Sequence, residues 1–245
     1  MTRLWICLPT YNEAENLERM VRALGQERAT HKLDMTVLVI DDSSPDGTGD
    51  IADRLAAELA WVQVLHRSVK DGLGRAYLAG FQVALDADAD LIMEMDCDFS
   101  HDPGDVHRLV AASRDADLVL GSRGVPGGGV KGWPLTRKVI SRGGSFYART
   151  ILGLKVRDLT GGFKLFHRRV LEALDFDGVE AQGYTFQIEL TYRAVQAGFS
   201  VREVPIIFID REFGESKMNG SIVLEAIWRV WRLRTRAGRA PTDGP

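Results

Sequence analysis

Short apolar runs alternate along the first half of the chain with longer stretches in which apolar residues recur every three or four positions. Leu4–Leu8, Thr36–Ile40, Val62–Leu65, Leu91–Met95 and Asp117–Leu120 read as strands. Glu13–Gln26, Asp50–Leu59 and Arg75–Ala87 read as helices, the first with Leu17, Met20, Val21 and Leu24 on one face. The turn Ser43-Ser44-Pro45-Asp46-Gly47 leads into the second helix. This β-α-β-α order predicts an α/β fold with a mainly parallel sheet covered on both faces. Ligands of such sheets bind outside the carboxyl ends of the strands.

That rule gathers four polar clusters at one edge: Pro9-Thr10-Tyr11-Asn12-Glu13, Asp41-Asp42-Ser43-Ser44-Pro45-Asp46, Asp96-Cys97-Asp98 and Gly121-Ser122-Arg123. Asp96 and Asp98 are one residue apart at a strand end, so their side chains project together. Two carboxylates that close repel unless a cation sits beside them. Oxygen ligands suit Mg²⁺ or Mn²⁺, particularly where a diphosphate completes the coordination. No G-x-G-x-x-G and no G-x-x-x-x-G-K-[ST] follows the first strand, which disfavours dinucleotide and phosphate-loop sites. The acids after the second strand suit ribose hydroxyls or base NH groups, and Tyr11 offers a ring face. Asn12 also fits a helix N-cap.

Composition narrows the classes. The chain has 245 residues, 45% hydrophobic and 27% charged, enough for one large domain with a good core. A formal charge of −3 gives no reason to expect nucleic acid. Two cysteines, Cys7 and Cys97, lie in or just after apolar runs, as reduced thiols do. No run approaches the roughly 18–20 apolar residues that span a bilayer, and Leu4–Leu8 is too short for a signal peptide. The expectation is a soluble or peripheral protein, with a disordered tail over 238–245.

In order, P-T-Y-N-E, D-D-x-S-x-D-G-T, G-x-G-x-A, M-D-x-D-x-S-H-x-P and G-S-R resemble family-2 glycosyltransferases of the GT-A fold. With Leu159-Thr160-Gly161-Gly162-Phe163-Lys164 and Arg211-Glu212-Phe213-Gly214-Glu215-Ser216-Lys217-Met218, they are similar to the polyprenol-phosphate (dolichol-phosphate) mannose synthases over Leu4 to Trp231. The resemblance implies one domain over 1–237, with a nucleotide-binding half to about 123 and an acceptor-binding half from 124. It implies a guanosine pocket of Pro9, Tyr11, Glu13, Ile40 and Asp42. Asp96, Cys97 and Asp98 would contact the sugar diphosphate, and Asp98 and Ser100 would hold Mg²⁺ or Mn²⁺. Arg123 would lie beside the sugar and acceptor phosphate, while Arg211 and Lys217 would reach the diphosphate from a mobile loop. Asp98, Arg123, Arg211 and Lys217 are the expected catalytic set. The family usually has Ala at the position of Cys97, and no histidine partner is apparent that would make this thiol a nucleophile.

The implied reaction is inverting transfer of mannose from GDP-mannose to polyprenyl phosphate. A phosphomonoester already carries about −1.5 to −2 charge at pH 7, so it attacks without a general base. Arg137 and Ser141 are four apart and share a helix face, so they could clasp that phosphate. Val125–Gly132 is glycine-rich and reads as a mobile loop. Related glycosyltransferases that act on hydroxyl acceptors place a catalytic-base acid near Glu189. With an acceptor that needs no deprotonation, Gln187 or Glu189 would only orient groups, and Glu189 reads equally as a plain helix carboxylate. Ser221–Arg236 reads as an amphipathic helix, with Leu224, Ile227, Trp228 and Trp231 on one stripe and Arg229, Arg232 and Arg236 on another face. Residues 221–245 carry five arginines against Glu225 and Asp243, a net of +3. This helix fits a membrane surface or a docked position on the domain. Some members of the resembled family continue here into transmembrane helices. The expected location is therefore the cytoplasmic face of a membrane, peripherally, through a separate or fused membrane-spanning partner. Other readings are UDP-glucose as donor, a non-catalytic sugar-nucleotide-binding subunit, and a phosphatase with a D-x-D-x-[TV] motif. The last needs that motif after its first strand, not its fourth.

Overall fold

In a computed structural model, residues 2–176, 178, 179, 183–210 and 228–235 are described. The central sheet has seven strands in the order β3-β2-β1-β4-β7-β5-β8. These are β1 (Arg3–Thr10), β2 (Asp34–Asp41), β3 (Val62–His66), β4 (Leu91–Glu94), β5 (Leu118–Ser122), β7 (Lys164–His167) and β8 (Val201–Pro205). β6 (Gly129–Lys131) and β9 (Ile207–Ile209) form a separate parallel pair. The helices are α1 (Leu17–His31), α2 (Thr48–Glu58), α3 (Leu73–Asp86), α4 (Val106–Ala112), α5 (Leu135–Leu152), α6 (Arg168–Glu172) and α7 (Tyr184–Gln196).

Alternation along β1 sorts the core into two layers. Leu4, Ile6 and Leu8 pack with Leu17, Met20, Val21 and Leu24 of α1 and with Leu109 of α4. Trp5 and Cys7 face the other way, with Phe81 of α3 and Phe186 and Leu190 of α7. A Cβ at Gly80 would collide with Ile40 and lie 3.1 Å from Cys7 Sγ, so only glycine lets α3 cross β1 and β2 this closely.

The predicted strands and helices of the first half are present with shifted ends. The largest shift is at α1, which runs over Leu17–His31 rather than Glu13–Gln26. Asn12 is no N-cap: its backbone is left-handed (φ 61°) and its N–H donates to Ser44 Oγ. The sheet is mainly parallel, but β7 runs antiparallel between β4 and β5. Part of the glycine-rich segment is strand β6, paired in register with β9.

Residues 228–235 are helical. Val230 is buried and Leu233 packs on the core, whereas Trp228 and Trp231 are 62% and 51% exposed. The helix therefore docks through Val230 and Leu233, not through the tryptophan stripe. Leu224, Ile227 and Arg236 lie outside the described residues, as does the tail over 238–245. No helix among the described residues is long and apolar enough to cross a membrane.

Candidate active site

The loops after β1 and β2 are laced together. Asn12 N–H donates to Ser44 Oγ (3.1 Å), Glu13 N–H to Thr48 Oγ1 (3.0 Å) and Ala14 N–H to the Asp46 carboxylate (3.1 Å). Asn12, Ser43 and Phe99 all have positive φ (61°, 55° and 57°) and sit in loops at the carboxyl edge of the sheet. Left-handed non-glycine residues cost energy and concentrate at functional sites, where the surroundings hold them.

Of the expected nucleotide residues, Pro9, Tyr11 and Glu13 are half-buried at this edge and Asp42 is buried. Ile40 differs: its side chain is fully buried against α3, so it belongs to the core beneath the pocket. Burial raises the Asp42 carboxyl pKa, and Arg67 opposes this with a 2.6 Å hydrogen bond. Lys70 Nζ sits 3.1 Å from the centroid of the Tyr11 ring. Arg67 and Lys70 were missed from sequence, although they follow β3 at the same edge and the carboxyl-end rule would have found them.

The D-x-D stretch follows β4 and turns away through Phe99. Asp96 is half-buried, 3.3 Å from the Tyr77 hydroxyl that donates to it. Its N–H donates to His101 Nδ1 (3.3 Å), which fixes that nitrogen as an acceptor. His101 itself is buried between Phe163 and Phe208. Asp98 is buried and accepts the Ser100 N–H at 3.0 Å. Ser100 Oγ is buried and has no hydrogen-bond partner among the described residues. An unmade buried hydrogen bond costs about 1–3 kcal/mol, so a ligand at this hydroxyl would relieve a penalty. A carboxylate and an orphan hydroxyl two residues apart are hard oxygen donors, and they fit Mg²⁺ or Mn²⁺. Cys97 is buried, and burial pushes its thiol well above the usual range, which leaves it without thiolate character.

Beneath the D-x-D lies a buried platform that the apolar look of Leu91–Met95 concealed. Glu94 and Lys164 are both fully buried, 3.5 Å apart. Lys164 donates to the Gln187 carbonyl (2.8 Å) and Oε1 (2.5 Å). Burial pushes the Glu94 carboxyl up and the Lys164 amine down, while their mutual attraction opposes both. Glu189 is buried and ion-paired with Arg193 at 2.6 Å, one turn along the same helix.

Arg123 stands at the end of β5 and is held bidentately by Asp158, with Nε–Oδ2 and Nη2–Oδ1 both 2.6 Å. Its backbone N–H also donates to Asp158 Oδ2 (2.9 Å), and Nη2 to Thr160 Oγ1 (2.9 Å). Trp133 and Phe208 flank the guanidinium at 5.5 and 5.3 Å. Burial alone would raise the Asp158 carboxyl, but Arg123 outweighs it and holds the group below the usual range.

Arg123 opens onto a cavity of about 610 Å³ whose lining includes Lys138, Ser141, Arg142, Arg149 and Arg157. Most of these cations come from one side of α5. Of the expected Arg137–Ser141 pair, only Ser141 lines this cavity. The two residues share a helix face, but Asp210 draws the Arg137 guanidinium to 2.7 Å and Trp133 stacks on it at 4.0 Å. Arg211 and Lys217 lie outside the described residues.

With this geometry in place, known proteins give context. The profile of glycosyl transferase family 2 matches residues 5–175. An undecaprenyl-phosphate mannosyltransferase of Micrococcus luteus is 50% identical over 237 residues, 96% of each chain. A polyprenol monophosphomannose synthase of Mycolicibacterium smegmatis is 47% identical over 243 residues, covering 97% of this chain and 90% of that protein. Among solved structures, glucosyl-3-phosphoglycerate synthase from Mycobacterium tuberculosis, in complex with Mn²⁺, UDP and phosphoglyceric acid, superposes with a TM-score of 0.67. It is 19% identical and covers 99% of this chain and 81% of its own, a likeness of fold.

Proposed function

The chain belongs to glycosyltransferase family 2 and has the GT-A fold, and from that premise we propose that it transfers mannose from GDP-mannose to polyprenyl phosphate, inverting the anomeric carbon. The observation that carries this reading is near-full-length identity of 50% and 47% to two proteins named for mannose and polyprenyl phosphate. The half to about residue 123 then binds the nucleotide sugar, and residues 124–237 serve the lipid phosphate.

The chemistry needs anions gathered rather than a base. Arg123, locked by Asp158, lines the α5 cavity and would present its cation to the acceptor phosphate there. Lys138, Arg142, Arg149 and Arg157 concentrate positive charge where an acceptor phosphate would sit, and Ser141 adds a hydroxyl donor. Asp42 would accept from the nucleoside while Arg67 keeps it in place, and Tyr11 would stack on base or sugar. Asp96 would contact the sugar diphosphate from the Tyr77 and Glu94–Lys164 platform. Asp98 and Ser100 would hold a divalent cation, which when bound supplies Lewis-acid stabilisation of the departing diphosphate. Arg211 and Lys217 would add charge to the same leaving group.

The lipid requires a surface. Trp228 and Trp231 are exposed on the last described helix, and Leu135, Val139, Ile140 and Phe146 are exposed on α5 beside the cationic cavity. These apolar faces suit peripheral contact with the cytoplasmic face of a membrane, alone or beside a membrane-spanning partner. Incubation with labelled GDP-mannose, polyprenyl phosphate and Mg²⁺ or Mn²⁺, with and without EDTA, tests the reading. Transfer from GDP-mannose supports it. Transfer only from UDP-glucose reassigns the donor, and binding without turnover reassigns the chain as a sugar-nucleotide-binding subunit.

A further inference from the structure

Outside the donor and acceptor sites, Glu27, His31 and His107 converge on the flank of the nucleotide-binding half. Glu27 and His31 lie four apart on α1, so they share one helix face. His107 comes from the first turn of α4. One ligand atom from each of the three lies within 4.8 Å of the other two. His31 Nε2 is 3.5 Å and His107 Nδ1 3.1 Å from Glu27 Oε2. Two ligands about 2.0–2.1 Å from a tetrahedral ion are about 3.3 Å apart, so the observed separations bracket that edge.

We propose that Glu27, His31 and His107 form a second cation site, selective for a borderline transition ion such as Zn²⁺ and distinct from the hard oxygen donors at Asp98 and Ser100. Two imidazoles and one carboxylate suit Zn²⁺ and not Mg²⁺. Three protein ligands leave a water position, as in open rather than closed structural zinc sites. The imidazoles are now stacked, with ring centroids 3.9 Å apart and 10° between planes. Capture requires the rings to open so that both nitrogen lone pairs converge, a rotation about soft χ2 torsions. The side chains are 17%, 34% and 36% exposed, so an ion can enter and the rings can move.

The placement gives the site a consequence. α1 continues from the Tyr11–Glu13 loop, and α4 continues from the D-x-D loop through one turn of 3-10 helix, Pro103–Asp105. An ion bridging Glu27 and His31 to His107 therefore braces the two elements that follow the nucleotide and diphosphate loops.

The test uses tag-free full-length protein in excess Mg²⁺ and titrates Zn²⁺ by calorimetry, with Co²⁺ absorption as a probe of coordination geometry. One Zn²⁺ per chain is expected, with a higher melting midpoint, because an ion that binds only the folded state stabilises it. His107→Ala and Glu27→Gln should each weaken uptake about tenfold or more and remove the shift in melting midpoint, with mannose transfer in Mg²⁺ unchanged. No Zn²⁺ uptake by wild type, or undiminished uptake by His107→Ala and Glu27→Gln, overturns the proposal. So does uptake abolished by Asp98→Ala, which assigns the ion to the D-x-D loop. Because the readout is binding, it stands whether or not the transfer reaction is as proposed.

Discussion

Asp158→Asn removes one negative charge and almost no volume from the grip on Arg123. Three of the four hydrogen bonds given above for Arg123 end on Asp158, whose side chain is 4% exposed against 11% for Arg123. The amide replaces one accepting oxygen with an NH₂ that faces another donor, so one charge-assisted bond is lost and a buried guanidinium is left undercompensated. A hydrogen bond to a charged group contributes about 1.5–3 kcal/mol, and breaking a buried pair costs about 3–5 kcal/mol. The isosteric change should therefore cost about 2–4 kcal/mol in urea unfolding, at unchanged m-value. Steady-state kinetics should show the acceptor KM raised about tenfold or more with the GDP-mannose KM nearly unchanged, since a factor of ten needs only about 1.4 kcal/mol. The sign with pH follows from the depressed carboxyl pKa: the pair's contribution is present above the ordinary carboxylate range and is lost as pH falls through the lower folded value. A stability change under about 1 kcal/mol together with an unchanged acceptor KM would refute the view that Asp158 positions Arg123 for the phosphate.

Ser100→Ala should leave the metal-free protein equally stable or stabler by up to about 1 kcal/mol, because it deletes an unpartnered buried hydroxyl, while Mn²⁺ affinity falls; calorimetric titration and thermal melts separate the two. Asp117 accepts from the Ser200 hydroxyl and N–H and from Arg169, and its carboxyl pKa is lowered to about 2. It should contribute about 2 kcal/mol at neutral pH that disappears as pH falls from about 4 towards 2. Wild type and Asp117→Asn should thus differ in denaturation midpoint at pH 7 and converge near pH 2. Replacing both Trp228 and Trp231 with Ser should leave the melting midpoint in place, since both are mostly exposed, but reduce cosedimentation with anionic vesicles; undiminished cosedimentation would sink the surface assignment.

Much of the site was legible because one rule, ligands at the carboxyl ends of parallel strands, turns local motifs into a shared edge. Asp41–Asp46, Asp96–Asp98 and Arg123 were placed there correctly by that rule alone. What escaped was set by contacts distant in sequence. The partner of Arg123 is 35 positions away at Asp158, and no local pattern announces such a pairing. β7 was missed because its first residue is a lysine, which reads as a strand boundary until Glu94 is seen to receive it in the core. The start of α1 slipped because Asn12 carries a good capping side chain, while the Ser44 and Thr48 hydroxyls instead hold its loop in a left-handed turn. Arg137 and Ser141 share the face that helix spacing predicts, yet the Arg137 guanidinium pairs with Asp210, an acid 73 positions away. Local periodicity captures which face a residue occupies, but a long cation goes to the nearest acid.

The most direct measurement is the rate of mannose transfer from GDP-mannose to polyprenyl phosphate by chelator-stripped wild type, by the same protein resupplied with Mg²⁺ or Mn²⁺, and by Asp98→Ala. If a cation held at Asp98 and Ser100 makes the diphosphate a competent leaving group, stripped protein should be inactive, resupply should restore the rate, and Asp98→Ala should remain at least about 10²-fold slower in saturating metal. Full-rate transfer by the stripped enzyme or by Asp98→Ala would contradict the account.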